Sequence, residues 1–304
     1  MKSRLIVNPV AGRDLASDYL QQINEKLREK VGALDIVITT GPRDATNAAA
    51  EAARAGYGCI FAAGGDGTVN EVINGVASLD GALEAMTFGI IPLGTGNDFS
   101  AALDLSPEVD SAVAALLDGD TRAVDLGMVA GQHFVNASAG GFLAEVSETV
   151  NPQLKSIAGR LAYLIGGAQT LWNYEPVEAS FELETDQGPV QHELSLQLFA
   201  VCNASTIGGG HLIAPHACIS DGWLDLCTIE AMPISAFVPL LGAVGRGEHL
   251  ADPRVSYFHI RAARFEFSRA IKINTDGEVL TADRCEYRVL PQAARFFAGK
   301  RATR

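Results

Sequence analysis

Residues Gly64-Gly65-Asp66-Gly67-Thr68 directly follow the apolar run Cys59-Ile60-Phe61-Ala62-Ala63 and precede Val69-Asn70-Glu71-Val72-Ile73. The pattern describes a buried strand that ends in glycines, turns on an acid and feeds a helix. Glycines let backbone N–H groups approach a ligand closely, and a helix N-terminus favours an anion. The stretch therefore reads as a phosphate cradle. Its acid points to a cation or a ribose arriving with the phosphate, or to a carboxylate that shapes the turn. Gly94-Thr95-Gly96-Asn97-Asp98 repeats the arrangement, and Asn8-Pro9-Val10-Ala11-Gly12 supplies a third glycine turn. Three such turns at one sheet edge favour a nucleotide site. Neither G-x-x-x-x-G-K-[ST] nor G-x-G-x-x-G occurs, which excludes a P-loop and a dinucleotide fingerprint. Far along the chain, Thr275-Asp276-Gly277-Glu278 reads as a hairpin turn, and its carboxylates could accept a proton.

The elements that must position these residues follow from periodicity. Residues 4–7, 35–40, 58–62 and 88–92 are short apolar or β-branched runs, read as strands. Between and after them lie helical patterns at 14–31 (Leu15, Tyr19, Ile23 and Leu27 at fourfold spacing), 43–55 (closed by Gly56), 69–76 and 107–117. Alternation of strands and helices implies a parallel sheet covered on both faces. Ligands bind such sheets at the carboxyl ends of the strands, where the turns at 8–12, 39–41, 64–68 and 94–98 fall. After about residue 125 the texture changes. Period-two alternation at 133–137, 177–183, 194–201, 223–229, 255–260, 264–267 and 271–274 predicts an antiparallel β-sandwich, with helical insertions near 157–172 and 233–246.

Composition narrows the functional classes. The 304 residues carry a net charge of −13 and are 48% hydrophobic. The charge argues against nucleic acid, which needs a basic footprint, and against non-specific adhesion to an anionic membrane. Five scattered cysteines without a C-x-x-C suggest a reduced, cytoplasmic protein rather than a disulfide or zinc framework. The N-terminal apolar stretch is too short for a signal peptide, and no run reaches the roughly 18 residues of a membrane span. Arg295, Lys300, Arg301 and Arg304 form a basic tail without acids. With Lys155, Arg160 and Arg246 they offer a local surface for anionic lipid; a solvated tail is the competing reading. His211 and His216 border a loop opened by Gly208-Gly209-Gly210, which reads as a glycine-rich loop near a cleft rather than a metal site.

Five segments carry a family resemblance. They are Ile6-Val7-Asn8-Pro9-Val10-Ala11-Gly12, Gly64-Gly65-Asp66-Gly67-Thr68-Val69-Asn70-Glu71, Pro92-Leu93-Gly94-Thr95-Gly96-Asn97-Asp98-Phe99, Asp221-Gly222-Trp223-Leu224-Asp225 and Thr275-Asp276-Gly277-Glu278. In this order the chain resembles the bacterial diacylglycerol kinases, including the YegS- and BmrU-like lipid kinases. That family shares its catalytic domain with sphingosine and ceramide kinases. Gly-Gly-Asp-Gly-Thr alone is shared with NAD kinases and phosphofructokinases; Gly-Thr-Gly-Asn-Asp-Phe narrows the likeness.

The resemblance implies an NAD kinase/phosphofructokinase-like α/β domain over residues 1–127 that binds ATP. It also implies a β-sandwich lipid-substrate domain over 128–290, with 291–304 available to pack back on the first. By the same resemblance Asn8, Gly12, Thr40, Gly64, Gly65, Asp66, Gly67, Thr68, Gly94, Thr95, Gly96 and Asn97 line the nucleotide. Asp66, Asp98 and Asp125 form a Mg²⁺-linked acidic cluster, although Asp66 also reads as a turn acid, Asp98 as a helix cap and Asp125 as a buried capping acid. Asp125 and Asp276 take supporting catalytic places. Glu278 is the implied general base.

Asp221 and the carbonyl of Trp223 correspond to a structural Mg²⁺ site of some members. Ser220 stands where many carry a second acid, and Ala101 where many carry arginine. The implied acceptor is the hydroxyl of a membrane lipid such as diacylglycerol, reached by transient contact with the inner face of the membrane; a homodimer stays open. Two alternatives remain at this point: a kinase for a soluble acceptor such as NAD, and a nucleotide-binding regulator with a degenerate kinase fold.

Overall fold

The computed structural model describes residues 2–11, 17–149 and 174–300. Its first half is a parallel sheet of β1 (Ser3–Val7), β2 (Leu34–Ile38), β3 (Cys59–Gly64) and β4 (Thr87–Pro92), in the order β2-β1-β3-β4. Burial is complete along β1 and β3, as expected of strands covered on both faces. One face is covered by α2 (Asp44–Arg54) and α3 (Asp66–Ala77), whose Ala48, Ala49, Val69, Val72 and Ile73 join Ile60 and Ile90 in one core. The alanines of α2 let it lie close to α3: a Cβ on Gly75 would stand 2.3 Å from the Thr46 carbonyl oxygen. On the other face α1 (Ser17–Val31) and α5 (Val109–Asp118) bury Ile23, Leu27, Val113 and Leu116 against Leu5, Phe61 and Ile91. The short α4 (Asp98–Ala102) follows the turn after β4.

The second half is antiparallel, as the alternation predicts. It comprises β5 (Thr121–Val129), β6 (Gln132–Phe134), β7 (Ala137–Gly141), β8 (Val177–Thr185), β9 (Gly188–Cys202), β10 (Leu224–Glu230), β11 (Val255–Thr275) and β12 (Glu278–Phe297). An aromatic cluster fills its centre: Phe265 lies 4.6 Å from Phe181, 5.0 Å from Phe199 and 5.0 Å from Tyr287, between ring centroids. A second core under α6 (Phe142–Thr149) and α7 (Ile234–Val244) brings Phe142 to 5.2 Å from Phe237.

Strand β12 joins the halves. It pairs antiparallel with β11 and β5, and near its end runs parallel to β4 through Arg295↔Thr87 and Phe296↔Phe88. Phe296 packs on Phe88 (5.2 Å) and Phe99 (5.1 Å). Among the described residues 12 strands therefore form one continuous sheet.

Two local readings change, and a third falls where the structure is not described. The alternation at 133–137 is divided between β6 and β7, because Val135 and Asn136 leave the ladder to donate their N–H groups to Asp276. The runs at 255–260, 264–267 and 271–274 are one strand, β11, whose register shifts absorb the breaks between them. The helix expected at 157–172 lies outside the described residues.

Candidate active site

The strand order places a crevice before any side chain is considered. From β1 the chain moves to β2 on one side and then returns to β3 and β4 on the other, so β1 and β3 flank the switch point of the sheet. Crevices at such points receive ligands in open α/β sheets. Asn8 follows β1 and Gly64 ends β3 here. The Asn8 N–H donates to the Ala63 carbonyl (2.9 Å), and its Nδ2 donates to Thr68 Oγ1 (3.0 Å). Its Oδ1 accepts the Val10 N–H (3.1 Å), which folds the turn over the crevice. Gly12 lies outside the described residues.

The two glycine turns touch backbone to backbone. A Cβ on Gly94 would stand 2.5 Å from Gly65 Cα, so Gly94 admits no side chain, and a Cβ on Gly65 would be tight at 3.2 Å from Gly94 Cα. Asn97, at φ 55°, ties its own turn by accepting the Gly94 N–H (2.9 Å) and donating to the Gly94 carbonyl (2.7 Å). Gly67, Thr95 and Gly96 are exposed at this mouth, Gly65 half-buried, while Gly64 and Thr68 are buried behind it. Thr40 is exposed at the end of the neighbouring strand. Its N–H and Oγ1 both donate to Asp44 Oδ2 at 2.8 Å, and the Gly41 N–H adds a third bond at 3.0 Å. These donors hold the Asp44 carboxyl below its usual range.

The acids divide into two groups. Asp66 opens α3, and its carboxylate accepts the N–H of Phe99 (3.0 Å) and of Asp98 (3.2 Å), so it caps α4. Asp98 is buried, and its carboxylate accepts the N–H of Gly209 and of Gly210, each at 2.8 Å. A Cβ on Gly96 would lie 3.2 Å from Asp66 Oδ2 and 3.4 Å from Asp98 Oδ2, so both carboxylates flank this residue. Burial first, then the charges of Asp98 and Asp276, push the Asp66 carboxyl up to about 6 despite its two N–H partners.

Asp125 is elsewhere engaged. It is fully buried on β5, with Oδ2 on the Gly222 N–H and Oδ1 on the Gln292 N–H, both at 2.7 Å. Asp221 neighbours it and accepts the Trp223 N–H (3.0 Å), while the Trp223 ring lies under Arg261 (4.3 Å). Among the described residues no three His, Cys, Asp or Glu side chains stand close enough together to hold a metal ion. Asp66 and Asp98 thus lie together beside Gly96, while the Asp125 carboxylate is bonded to the N–H groups of Gly222 and Gln292.

Across the crevice, β11 and β12 meet in a two-residue turn. Asp276 and Gly277 both have positive φ (48° and 101°), the geometry that Asp-Gly favours in hairpins. The Asp276 carboxylate collects the N–H groups of Val135 (2.7 Å), Asn136 (3.1 Å) and Ala137 (2.8 Å) and the side-chain amide of Asn70 (3.0 Å). Its backbone lies near the phosphate turn: a Cβ added at Gly67 would be 3.9 Å from the Asp276 carbonyl oxygen. Glu278, exposed, pairs with Thr275 at the start of β12. Residues 64–68, 94–98 and 274–278 are therefore brought together. Asp44, Asn70 and Asn74 also build the site without having been singled out from the sequence. The signal for the last two was an amide pair four residues apart on an apolar helix.

A glycine-lined crevice in an α/β half, faced by an acid-bearing hairpin from a β half, defines a two-lobed phosphoryl-transfer enzyme. The diacylglycerol kinase catalytic domain matches residues 2–129, and the YegS C-terminal NAD kinase beta sandwich-like domain matches residues 136–298. A diacylglycerol kinase of Bacillus subtilis (strain 168) is 36% identical over 278 residues, covering 91% of this chain and 89% of its own. A diacylglycerol kinase of Staphylococcus saprophyticus is 33% identical over 277 residues, covering 91% and 88%. The crystal structure of a diacylglycerol kinase from Bacillus anthracis str. Sterne superposes with a TM-score of 0.77 at 25% identity, covering 98% of this chain and 97% of that one. The chain belongs to the bacterial diacylglycerol kinase/YegS-like lipid kinase family, and kinase membership implies ATP as the phosphoryl donor.

Proposed function

We propose that this chain transfers the γ-phosphoryl group of ATP to the free hydroxyl of diacylglycerol in a membrane. The observation that carries the reading is the bond from Asn70, on the helix opened by the glycine turn, to Asp276, whose turn bears Glu278 and lies near Gly67. In the proposed reaction the turns around Gly65 and Gly94 hold the phosphates through backbone N–H groups. Glu278 takes the hydroxyl proton as the lipid oxygen bonds to the γ-phosphorus and the bond to ADP breaks.

Mg²⁺ fits this site at Asp66. Each carboxylate oxygen there keeps lone-pair capacity beyond its one N–H bond, and a cation would relieve the repulsion from Asp98 and Asp276. When bound, Mg²⁺ neutralises charge on the phosphates. Asp125 and Asp221 take no part in this proposal beyond holding their loops. The proposed division of labour assigns nucleotide to residues 1–127 and lipid to 128–290.

Among the described residues no helix is long and apolar enough to cross a membrane, so the lipid is met at the bilayer surface. α7 supports such contact: it carries no charged residue and exposes Ile234 and Val238. The basic surface considered above receives less support, because Arg246 is paired with Glu248 (2.7 Å) and Lys300 with Asp118 (3.1 Å).

Radiolabelled ATP, Mg²⁺ and vesicles containing diacylglycerol test the reading. Wild-type protein is expected to sediment with the vesicles and label the lipid. Glu278→Gln should lose turnover by about 100-fold or more with ATP affinity retained. Equal activity in the variant would sink the base assignment, and labelling of NAD in place of lipid would sink the acceptor.

A further inference from the structure

Asn70 lies one helical turn beyond Asp66 on α3, 2% exposed, among the apolar residues Val69, Val72 and Ile73. A buried amide is costly unless its groups are bonded, and here they are. Asn70 Nδ2 donates to Asp276 Oδ2 (3.0 Å) and to the His133 carbonyl (3.1 Å), while its Oδ1 accepts the Asn74 amide (2.7 Å). Asn74 is pinned in turn: Nδ2 donates to the His133 carbonyl (2.9 Å) and Oδ1 accepts the His133 N–H (2.9 Å). Of the donors recorded on the Asp276 carboxylate, those of Val135, Asn136 and Ala137 come from the β half; Asn70 alone among the described residues comes from the α/β half.

We infer that Asn70 is a positioning residue for phosphoryl transfer: it fixes the Asp276 turn, and so Glu278, relative to the phosphate turn that opens its own helix. The inference rests on the proposed function. From Asp66 to Asn70 the helix advances only about 6 Å, so the same rigid turn of helix carries the phosphate cradle at one end and the hairpin's anchor at the other. Ser138 Oγ reinforces the hairpin from behind, 2.8 Å from Thr275 Oγ1 and 3.0 Å from the Tyr287 hydroxyl. That brace lies wholly in the β half, so it fixes the hairpin's shape and not its approach to the nucleotide.

Steady-state kinetics of the full chain on ATP and diacylglycerol vesicles test this. Asn70→Ala is expected to lower kcat about tenfold or more while KM for ATP stays within about twofold, since small misplacements of a reacting group cost rate rather than binding. Added to Glu278→Gln, the same change should cost less than about a further twofold, because Asn70 acts through a base already removed. A purely structural role would give losses that multiply. Asn74→Ala, a milder lesion that releases the Asn70 amide, should lower kcat in the same KM-sparing way and carries the test if Asn70→Ala fails to bind ATP. Unchanged kcat in these variants, or fully multiplicative losses, overturns the inference. A wild-type chain that labels no diacylglycerol overturns the functional reading instead, so the two failures are distinguishable.

Discussion

Asp98 reaches across the crevice to Gly209: its Oδ2 accepts the Gly209 N–H at 2.8 Å, and Oδ1 takes that of Gly210 at the same distance. The acid that the resemblance implied for Mg²⁺ thus bonds a loop of the β half through both oxygens, each with the same spare lone-pair capacity as those of Asp66. That loop continues through the Ile207–His211 bridge to Ile213, whose carbonyl is held by the buried His249 (3.0 Å). Asp98 is a latch between the nucleotide turn and the half proposed to hold lipid.

Removing the latch should therefore affect stability and the lipid together. Asp98→Ala takes the acceptor from two N–H groups of an exposed loop and is expected to cost about 1–2 kcal/mol in urea denaturation. It should raise KM for diacylglycerol more than KM for ATP, and Asp98→Asn, which keeps one acceptor, should fall between. Wild-type stability in Asp98→Ala would show that the latch carries no load.

Asp66 supplies a pH dependence with a defined sign. Burial and the neighbouring carboxylates raise its carboxyl from 3.8 to about 6. The folded chain then holds that proton more tightly than the unfolded one, so ionisation opposes folding. The penalty is absent below the unfolded value, grows as pH rises, and is complete above about 6, where it amounts to roughly 3 kcal/mol. Asp66→Asn, compared with wild type by thermal denaturation, should gain relative stability between pH 4 and pH 7 while binding ATP and Mg²⁺ more weakly. Mg²⁺ with nucleotide should raise the wild-type Tm more than the variant's. A stability difference that stays flat with pH would remove Asp66 as the titrating group.

The sequence made the parallel half legible because its signals are local. Gly64-Gly65-Asp66 ends a wholly apolar strand, and Gly56 and Gly119 take the left-handed conformations that close α2 and α5. Two strands left no such mark. β5 is buried along four successive residues, Val124 to Gly127, so it lacks period-two contrast. β12 carries Pro291 where its register against β5 shifts between Leu290 and Ala294, and a proline argues against a central strand. The site divided similarly. The glycine turns and the Asp276–Gly277 hairpin were readable from residue type. The partners of the acids were not, because Asp98 meets Gly209 and Asp276 meets Asn70 only through the packing of the halves. Three aspartates in a kinase-like chain look alike in sequence; their backbone donors separate them.

Asp125 shows that separation most sharply. Its carboxylate holds Gly222, at the approach to β10, and Gln292, at the register shift of β12. Its own N–H donates to the Ile219 carbonyl (2.7 Å), and its carbonyl accepts the Asn203 amide (2.8 Å). Burial raises the carboxyl's pKa even against these N–H donors. Asp125→Ala removes the acceptor of the half-buried Gly222 N–H and of the Gln292 N–H and is expected to lose about 2 kcal/mol of stability. Asp125→Asn, with one acceptor kept, should lose less. Protein that remains folded should retain most of its kcat and its dependence on Mg²⁺ concentration. A metal ligand would behave in the opposite way, with near-normal denaturation, a collapse in kcat and a steep rise in the Mg²⁺ needed for activity. Urea titration beside a Mg²⁺ titration of turnover decides between them, and the second pattern would return Asp125 to the catalytic acids.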